Sequence, residues 1–276
     1  MDTTPTLQEP RRVPRDWPFL LALGVLGGVY VLLIVAMLLA DASFTTPLHL
    51  LRALRSPEIR YAIKLSLVSC TLTTILSLWV AVPIGYLMSR YRFFGKNLVD
   101  GIVDIPVVLP PLVIGLSLLI LFQTPFGRLI EDGIGFKVTY EIPSVVLAQF
   151  MVACAFAVRT MRVTFDQISP RAEKVALTLG CNRSQAFWMV VLPEARRGML
   201  TAATLAWARS LGEFGPILVF SGATRMRTEV LSTTVFLELS IGNLEAAVAV
   251  SLIMVAAAIV VLTIARLFGL RQPPVL

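Results

Sequence analysis

The chain is dominated by long apolar runs that contain no Asp, Glu, Lys or Arg. Five such runs can be separated: 17–40, 65–89, 105–127, 142–158 and 246–265. Each is close to the ~20 residues that an α-helix needs to cross ~30 Å of hydrocarbon. A sixth apolar segment, 198–221, is interrupted by Arg209 and Glu213. The pattern therefore predicts an all-α membrane protein with six transmembrane helices.

The composition leads to the same class of protein. Of the 276 residues, 57% are hydrophobic and 15% are charged, whereas about 25% are charged in a typical soluble domain. No long stretch has the composition of a separate soluble domain. We therefore expect one transmembrane domain over 17–268, with short tails at 1–16 and 269–276. The first run is preceded by three arginines and lacks a clear small-residue cleavage site, so it is interpreted as a retained helix.

The distribution of Lys and Arg predicts how the helices are oriented. With a cytoplasmic N-terminus, fifteen of the 24 basic residues fall in cytoplasmic segments and eight in outer segments. Membrane proteins show this bias toward the cytoplasm, which favours cytoplasmic termini and a cytoplasmic loop at 159–197. The exception is the basic outer stretch 52–64, interpreted as an amphipathic helix at the interface. The same bias explains the net charge of +7 without nucleic acid as a partner.

Few side chains offer chemistry of their own. Cys70, Cys154 and Cys181 show no pairing pattern and are interpreted as small packing residues. The lone His49 forms no recognised metal-ligand spacing with them. No Gly-rich phosphate loop ending in Lys-Ser or Lys-Thr is present. We therefore expect no catalytic residue, no metal site and no cofactor in this chain, and a membrane enzyme is the less favoured alternative.

Two features interrupt the apolar runs. Pro106, Pro110 and Pro111 break the third run, because proline lacks an N–H and clashes with the preceding helical turn. This break is interpreted either as the lining of a cavity or gate, or as a tolerated kink. Arg209 and Glu213 are spaced i,i+4 and can pair across one turn. They neutralise each other, pair with a neighbouring helix, or form part of a translocation path, since each charge alone costs about 2.5–3.5 kcal/mol in lipid.

The polar and basic stretch 170–193 lies between apolar runs. Good helix formers precede Gly180, which is the expected stop of a first short helix. Asn182 and Gln185 have the spacing of a capping box and predict the start of a second helix, which we expect Pro193 to end. The stretch thus predicts two short helices around a sharp turn on the cytoplasmic side.

This stretch resembles the EAA loop of ATP-binding-cassette importer permeases. The pattern of that loop is Glu-Ala-Ala, three residues, Gly, and later an apolar-Leu-Pro ending. Aligned on Gly180, the glutamate position holds Lys174, and the acidic residue stands one position earlier, at Glu173. In that family the loop forms a coupling helix seated in a groove of a cytoplasmic ATPase. The resemblance implies an ATPase-coupling surface made of Glu173, Lys174, Val175, Ala176, Gly180, Leu192 and Pro193.

A second resemblance narrows the family. ARSLGEFGPILVFSG at 208–222 is similar to molybdate, tungstate and sulfate permeases, as are the segments 106–122 and 241–254. This second resemblance implies the MetI-like fold of type I importers and an oxyanion substrate. The candidate residues of the translocation path or gate are Pro110, Pro111, Arg209, Glu213, Phe214 and Gly215.

The family resemblance also implies partners and a location. The expected partners are a second permease copy, two cytoplasmic ATPase subunits that bind ATP-Mg, an extracytoplasmic solute-binding protein, and membrane lipid. The expected location is the inner membrane of a bacterial or archaeal cell. Two alternatives remain open: a permease for iron or polyamine, and a stand-alone channel or secondary carrier.

Overall fold

A computed structural model describes residues 17–270. The predicted tail at 1–16 and residues 271–276 of the predicted C-terminal tail lie outside this range. The described part contains helices and no strand, which confirms the all-α prediction. The helices are α1 (Trp17–Phe44), α2 (Pro47–Arg55), α3 (Pro57–Arg90), α4 (Lys96–Val108), α5 (Pro111–Gln123), α6 (Pro125–Ile134), α7 (Ile142–Gln167), α8 (Pro170–Thr178), α9 (Arg183–Ala186), α10 (Leu192–Glu194), α11 (Arg196–Leu211), α12 (Leu231–Ser240) and α13 (Leu244–Leu270).

The chain divides into two units, of which the first ends at Thr46 and contains α1. At 1.5 Å per residue, its 28 residues extend over about 42 Å. The helix is almost entirely apolar, so it is long and apolar enough to cross a membrane. The second unit begins at Pro47 and contains all the remaining helices.

Within the described residues, four helical segments are long and apolar enough to span a membrane: Phe19–Phe44, Pro57–Arg90, Ile142–Gln167 and Leu244–Leu267. The pair α4 and α5 adds a fifth span if it is counted as one, although its two helices are bent by 112°. The sixth expected span, 198–221, is not a continuous helix, because α11 ends at Leu211. The structure thus supports a multi-pass protein, and the count of six is not confirmed.

The second unit is built around α3, which packs against α7 and α11. Ser56 caps α3 by accepting a hydrogen bond from the Ile59 N–H at 3.2 Å, and Pro57 occupies the first turn, where no N–H partner is needed. Small residues let the three helices approach closely. One buried cluster where they meet includes Ala81, Ala153, Ala157, Ala202 and Ala206.

The two ends of α3 lie in different surroundings. With 34 residues, this helix separates them by about 51 Å. Near its N-terminal end, α2 packs against α13, and His49 Nε2 lies 3.1 Å from Glu245 Oε2. At its C-terminal end, Arg90 faces Glu173 of the polar stretch. The polar stretch and the α2 region therefore belong to opposite ends of the second unit.

The basic stretch 52–64 does not form the single amphipathic helix that we expected. It is divided at Ser56, where α2 has ended and α3 has not yet begun. Only the part up to Arg55 belongs to the short amphipathic helix α2. The cap at Ser56 and the following Pro57 start a new helix here, because a proline favours the first turn and disfavours a helical residue before it.

Candidate functional site

The turn in the polar stretch has the geometry that the sequence predicts. Helix α8 ends at Thr178, and Gly180 adopts a left-handed conformation with φ of +94°. The Cys181 N–H donates to the Ala176 carbonyl at 3.1 Å, and the Gly180 N–H donates to the Leu177 carbonyl at 3.2 Å. These bonds satisfy carbonyls that the end of the helix would otherwise leave unpaired. The predicted stop at Gly180 is thus confirmed.

The second helix begins as predicted but does not end at Pro193. The Asn182 N–H donates to Gln185 Oε1 at 2.9 Å, and the Gln185 N–H donates back to Asn182 Oδ1 at 2.8 Å, so the capping box is present. A π-helical segment, Phe187–Val191, follows α9. Because its bonds run i→i−5, the wider turn makes room for Pro193, and the chain continues through α10 into α11. We call residues 170–194 the coupling module, after the role that the resemblance to importer permeases implies.

The inner face of the coupling module is attached to the end of α3. Tyr86 Oη donates to Glu173 Oε1 at 2.6 Å, and Arg90 Nε lies 3.4 Å from Glu173 Oε2. The Tyr86 ring also packs edge-to-face on Phe187, with centroids 4.8 Å apart. Glu173 therefore binds the module to the helix bundle instead of facing outward. Neither Tyr86 nor Arg90 was identified from the sequence, because their role depends on a contact across more than 80 residues.

Several apolar side chains of the coupling module are exposed. The exposed fractions are 56% for Val175, 79% for Leu179, 64% for Trp188 and 70% for Met189. Trp188 lines a cavity together with Trp79 and Pro83 of α3, whereas Val175 and Leu179 are spaced i,i+4 and lie on one side of the turn at Gly180. Exposed apolar side chains on a polar segment are typical of a surface that docks onto another protein. A Cβ added at Gly180 would meet no atom within 4 Å, so the space beside this turn is open to a partner.

The remaining predicted coupling residues differ in exposure. Lys174 and Pro193 are exposed, and Leu192 is half-buried. Ala176 is buried, with 7% of its surface exposed. The structure thus confirms the predicted pair of short helices and separates the residues packed against the bundle from those exposed at the surface, while the coupling role stays a prediction.

The second predicted site lies where α11 ends. After Leu211 the chain leaves the helix, and it returns to a π-helical segment at Ile217–Ser221. Arg209 Nη1 lies 2.8 Å from Glu213 Oε2, so the pair that the spacing predicts is formed. Its members differ in burial, since 32% of the Arg209 side chain and 1% of the Glu213 side chain is exposed. The guanidinium also lies 5.8 Å from the centre of the Phe156 ring, within the range of a cation–π contact.

The two broken segments meet each other through glycines. A Cβ added at Gly115 would lie 2.7 Å from Pro216 Cα, and one added at Gly215 would lie 3.0 Å from the Leu112 backbone nitrogen. The first distance is too short for a side chain and the second is very tight, so the start of α5 and the segment after α11 touch backbone to backbone. Pro111 and Gly215 are thereby brought together. The structure adds Gly115, which the sequence did not single out because a glycine in an apolar run has many roles.

Phe214 and Pro110 occupy the borders of this contact. The Phe214 ring packs on Phe236 of α12, with centroids 5.3 Å apart. Pro110 is extended, with φ of −54° and ψ of 133°, and directly precedes α5. At Pro110 the chain therefore changes direction between two separate helices, so the break is not a simple kink within one helix.

Replacing Gly115 with Ala is expected to destabilise the protein by about 1–3 kcal/mol, because the new methyl group would be forced against backbone atoms of Pro216. Gly101 of α4 is the matched control, since a Cβ added there meets nothing within 4 Å. Gly101→Ala should leave the protein unchanged or slightly more stable. The thermal midpoint of the purified protein in detergent measures both. Equal midpoints for the two variants would contradict the backbone contact.

Comparison with known proteins identifies a matching family model and related permeases. A family model described as "Binding-protein-dependent transport system inner membrane component" matches residues 81–272. The sulfate transport system permease protein CysT of Salmonella typhimurium is 32% identical over 222 residues, which cover 78% of this chain and 80% of the relative. The molybdate/tungstate transport system permease protein WtpB of Pyrococcus abyssi is 32% identical over 170 residues, covering 62% and 64%.

Solved structures give the same fold. A crystal structure of a bacterial alginate ABC transporter, in complex with an alginate pentasaccharide-bound periplasmic protein, contains a chain that matches with a TM-score of 0.72. The match has 18% sequence identity and covers 93% of this chain and 95% of the other. The structural match shows the fold, and the matched family model with the CysT relative shows that the chain belongs to the family of inner membrane components of binding-protein-dependent transport systems.

Proposed function

We propose that this chain is the membrane-spanning permease subunit of an importer for an inorganic oxyanion: sulfate, molybdate or tungstate. The coupling module carries the proposal, since its exposed apolar side chains and its attachment to α3 suit the transmission of force from a partner. The substrate class is supported by the relatives named for sulfate and for molybdate or tungstate. Transport itself is non-catalytic in this chain, and ATP-Mg is bound by the partner.

In the proposed assembly, the partners bind at the two opposite ends of α3. Two ATPase subunits dock on the coupling modules of two permease copies, which face the cytoplasm together with both chain termini. A solute-binding protein delivers the substrate at the opposite end, about 51 Å away. Between them lies the contact of α5 with the segment after α11, which belongs to the translocation path. The segment 198–221 then acts as a sixth, broken span.

Alternating access needs two conformations of this assembly. Nucleotide binding favours the state in which the ATPases are closed, and the modules transmit that preference to the broken helices. A ligand shifts such an equilibrium only by its difference in affinity for the two states. The Arg209–Glu213 pair is locally close to neutral, so we assign it to the gate and not to a site that holds a free anion.

The decisive experiment is reconstitution. The permease is purified together with its ATPase partner, placed in proteoliposomes, and supplied with the binding protein and labelled sulfate or molybdate. We expect oxyanion uptake that requires both ATP and the binding protein. Uptake without an ATPase would support the channel or secondary carrier, and uptake of iron or polyamine alone would support the alternative substrates. Calorimetry of the binding protein with each oxyanion separates sulfate from molybdate and tungstate.

A further inference from the structure

A single buried amide connects three helices beside the gate. Gln149 of α7 is 1% exposed. Its Oε1 accepts a hydrogen bond from Thr73 Oγ1 of α3 at 3.2 Å. Its Nε2 donates to the backbone carbonyl of Ser210 in α11 at 3.2 Å. Because a carbonyl can only accept, the amine end of the amide must face Ser210, which fixes the orientation of the side chain.

The carbonyl that Gln149 contacts is the one that positions Glu213. The Glu213 N–H donates to the same Ser210 oxygen at 3.2 Å. Both lone pairs of this oxygen are thus used, one by α7 and one by the first residues after α11. The Ser210 hydroxyl is not available for this role, because it donates to the Ala206 carbonyl at 2.8 Å.

The other side of Glu213 is fixed to α12. Ser232 Oγ donates to the Glu213 carbonyl at 2.7 Å, and the neighbouring Leu231 N–H donates to Ser66 Oγ of α3 at 2.8 Å. The backbone of Glu213 is therefore held between α11 and α12, and α3 supports both attachments. Among these contacts, the hydrogen bond donated by the Gln149 amide is the one by which a side chain of α7 reaches the end of α11.

We propose that Gln149 is a positioning residue of the transport cycle, which fixes where α11 ends and thereby holds the Arg209–Glu213 pair in place. The inference rests on the proposed function of the chain as an importer permease. Helix α7 leads directly to the coupling module, which begins three residues after Gln167. A displacement of the module thus reaches Gln149 along one rigid helix, and the amide transfers it to the gate.

Substitutions at Gln149 separate its hydrogen bonds from its volume. Gln149→Met keeps a long unbranched side chain but removes the donor to Ser210. Gln149→Glu keeps the shape, and a buried carboxyl group favours its neutral form, whose O–H can donate to the same carbonyl. Ser77→Ala is the matched control, because Ser77 is a buried polar residue of α3 whose hydroxyl has no hydrogen-bond partner among the described residues.

We expect Gln149→Met to lower the number of oxyanions imported per ATP hydrolysed by about tenfold, a coupling change within the usual range for residues between two sites. Gln149→Glu should retain most of the coupling, and Ser77→Ala all of it. Equal ratios for Gln149→Met and the wild type would overturn the proposal, and so would an equal loss in Ser77→Ala. If Gln149→Met does not fold, Thr73→Val replaces it. This change removes the hydroxyl that lies 3.2 Å from Gln149 Oε1 and 3.3 Å from the Val146 carbonyl, leaves the bond to Ser210 in place, and should give a smaller loss in the same direction.

A measurement of local geometry keeps this test independent of transport. Gly212 is exposed directly after α11, so Gly212→Cys can be labelled with a maleimide after Cys154 and Cys181 are changed to Ser. We expect Gln149→Met to change the labelling rate and Ser77→Ala to leave it unchanged. An unchanged rate in Gln149→Met would refute the positioning role. A wild-type assembly without binding-protein-stimulated ATPase activity would instead refute the proposed function and leave the labelling result standing.

Discussion

Arg209→Met is expected to destabilise the protein by about 3 kcal/mol and to abolish transport, because it leaves the Glu213 carboxylate buried without its counter-ion. Only 1% of the Glu213 side chain is exposed, compared with 32% for Arg209. The loss should therefore be larger for Arg209→Met than for Glu213→Gln, in which the remaining cation is partly exposed and still lies 5.8 Å from the Phe156 ring. Thermal unfolding in detergent and uptake in proteoliposomes measure the two effects.

The double variant is the control for this interpretation. If the two residues act as a pair, Arg209→Met with Glu213→Gln should be more stable than Arg209→Met alone, since no unpaired charge remains. A double-mutant cycle then gives a coupling free energy of about 1–3 kcal/mol. Strictly additive changes would contradict a paired role. Restored stability without restored uptake would assign the pair to the gate itself, in addition to its structural role.

Gly180→Val should separate ATP hydrolysis from transport, with uptake reduced by more than about tenfold. The left-handed conformation at this turn, with φ of +94°, is open to glycine but costs a residue with a Cβ roughly 1–2 kcal/mol, and more for a β-branched side chain. The turn would relax to another conformation and misplace the exposed apolar side chains beside it. We expect weaker copurification of the ATPase and the loss of stimulation by the binding protein, while basal hydrolysis continues without uptake.

Gly135 provides a control with the same strain at a different place. It ends α6 with φ of +80°, and a Cβ added there also meets nothing within 4 Å. Gly135→Val should thus have a similar effect on stability and no effect on the association with the ATPase. Gly180→Asn should be milder than Gly180→Val, because asparagine tolerates the left-handed region. Equal uptake in the two valine variants would show that the turn at Gly180 has no special part in coupling.

Local sequence patterns predicted much of the architecture. The apolar runs predicted an all-helical membrane protein, because crossing hydrocarbon requires about 20 apolar residues whatever the helices pack against. Gly180 and the Asn182–Gln185 capping box predicted the two-helix module, since stops and caps depend on neighbours within four residues. The spacing of Arg209 and Glu213 predicted their ion pair for the same reason, and all three features are present.

Other features depend on contacts that are distant in the chain, and only the tertiary structure decided them. The resemblance placed Glu173 in the coupling surface, and the structure shows that its carboxylate contacts Tyr86 and Arg90 at the end of α3. Pro193 was expected to end a helix, yet a π-helical segment accommodates it. The meeting of Gly115 with Pro216, and of Gln149 with Ser210, joins residues 61 or more positions apart. No pattern within one helix carries such information, because it arises only when the helices pack.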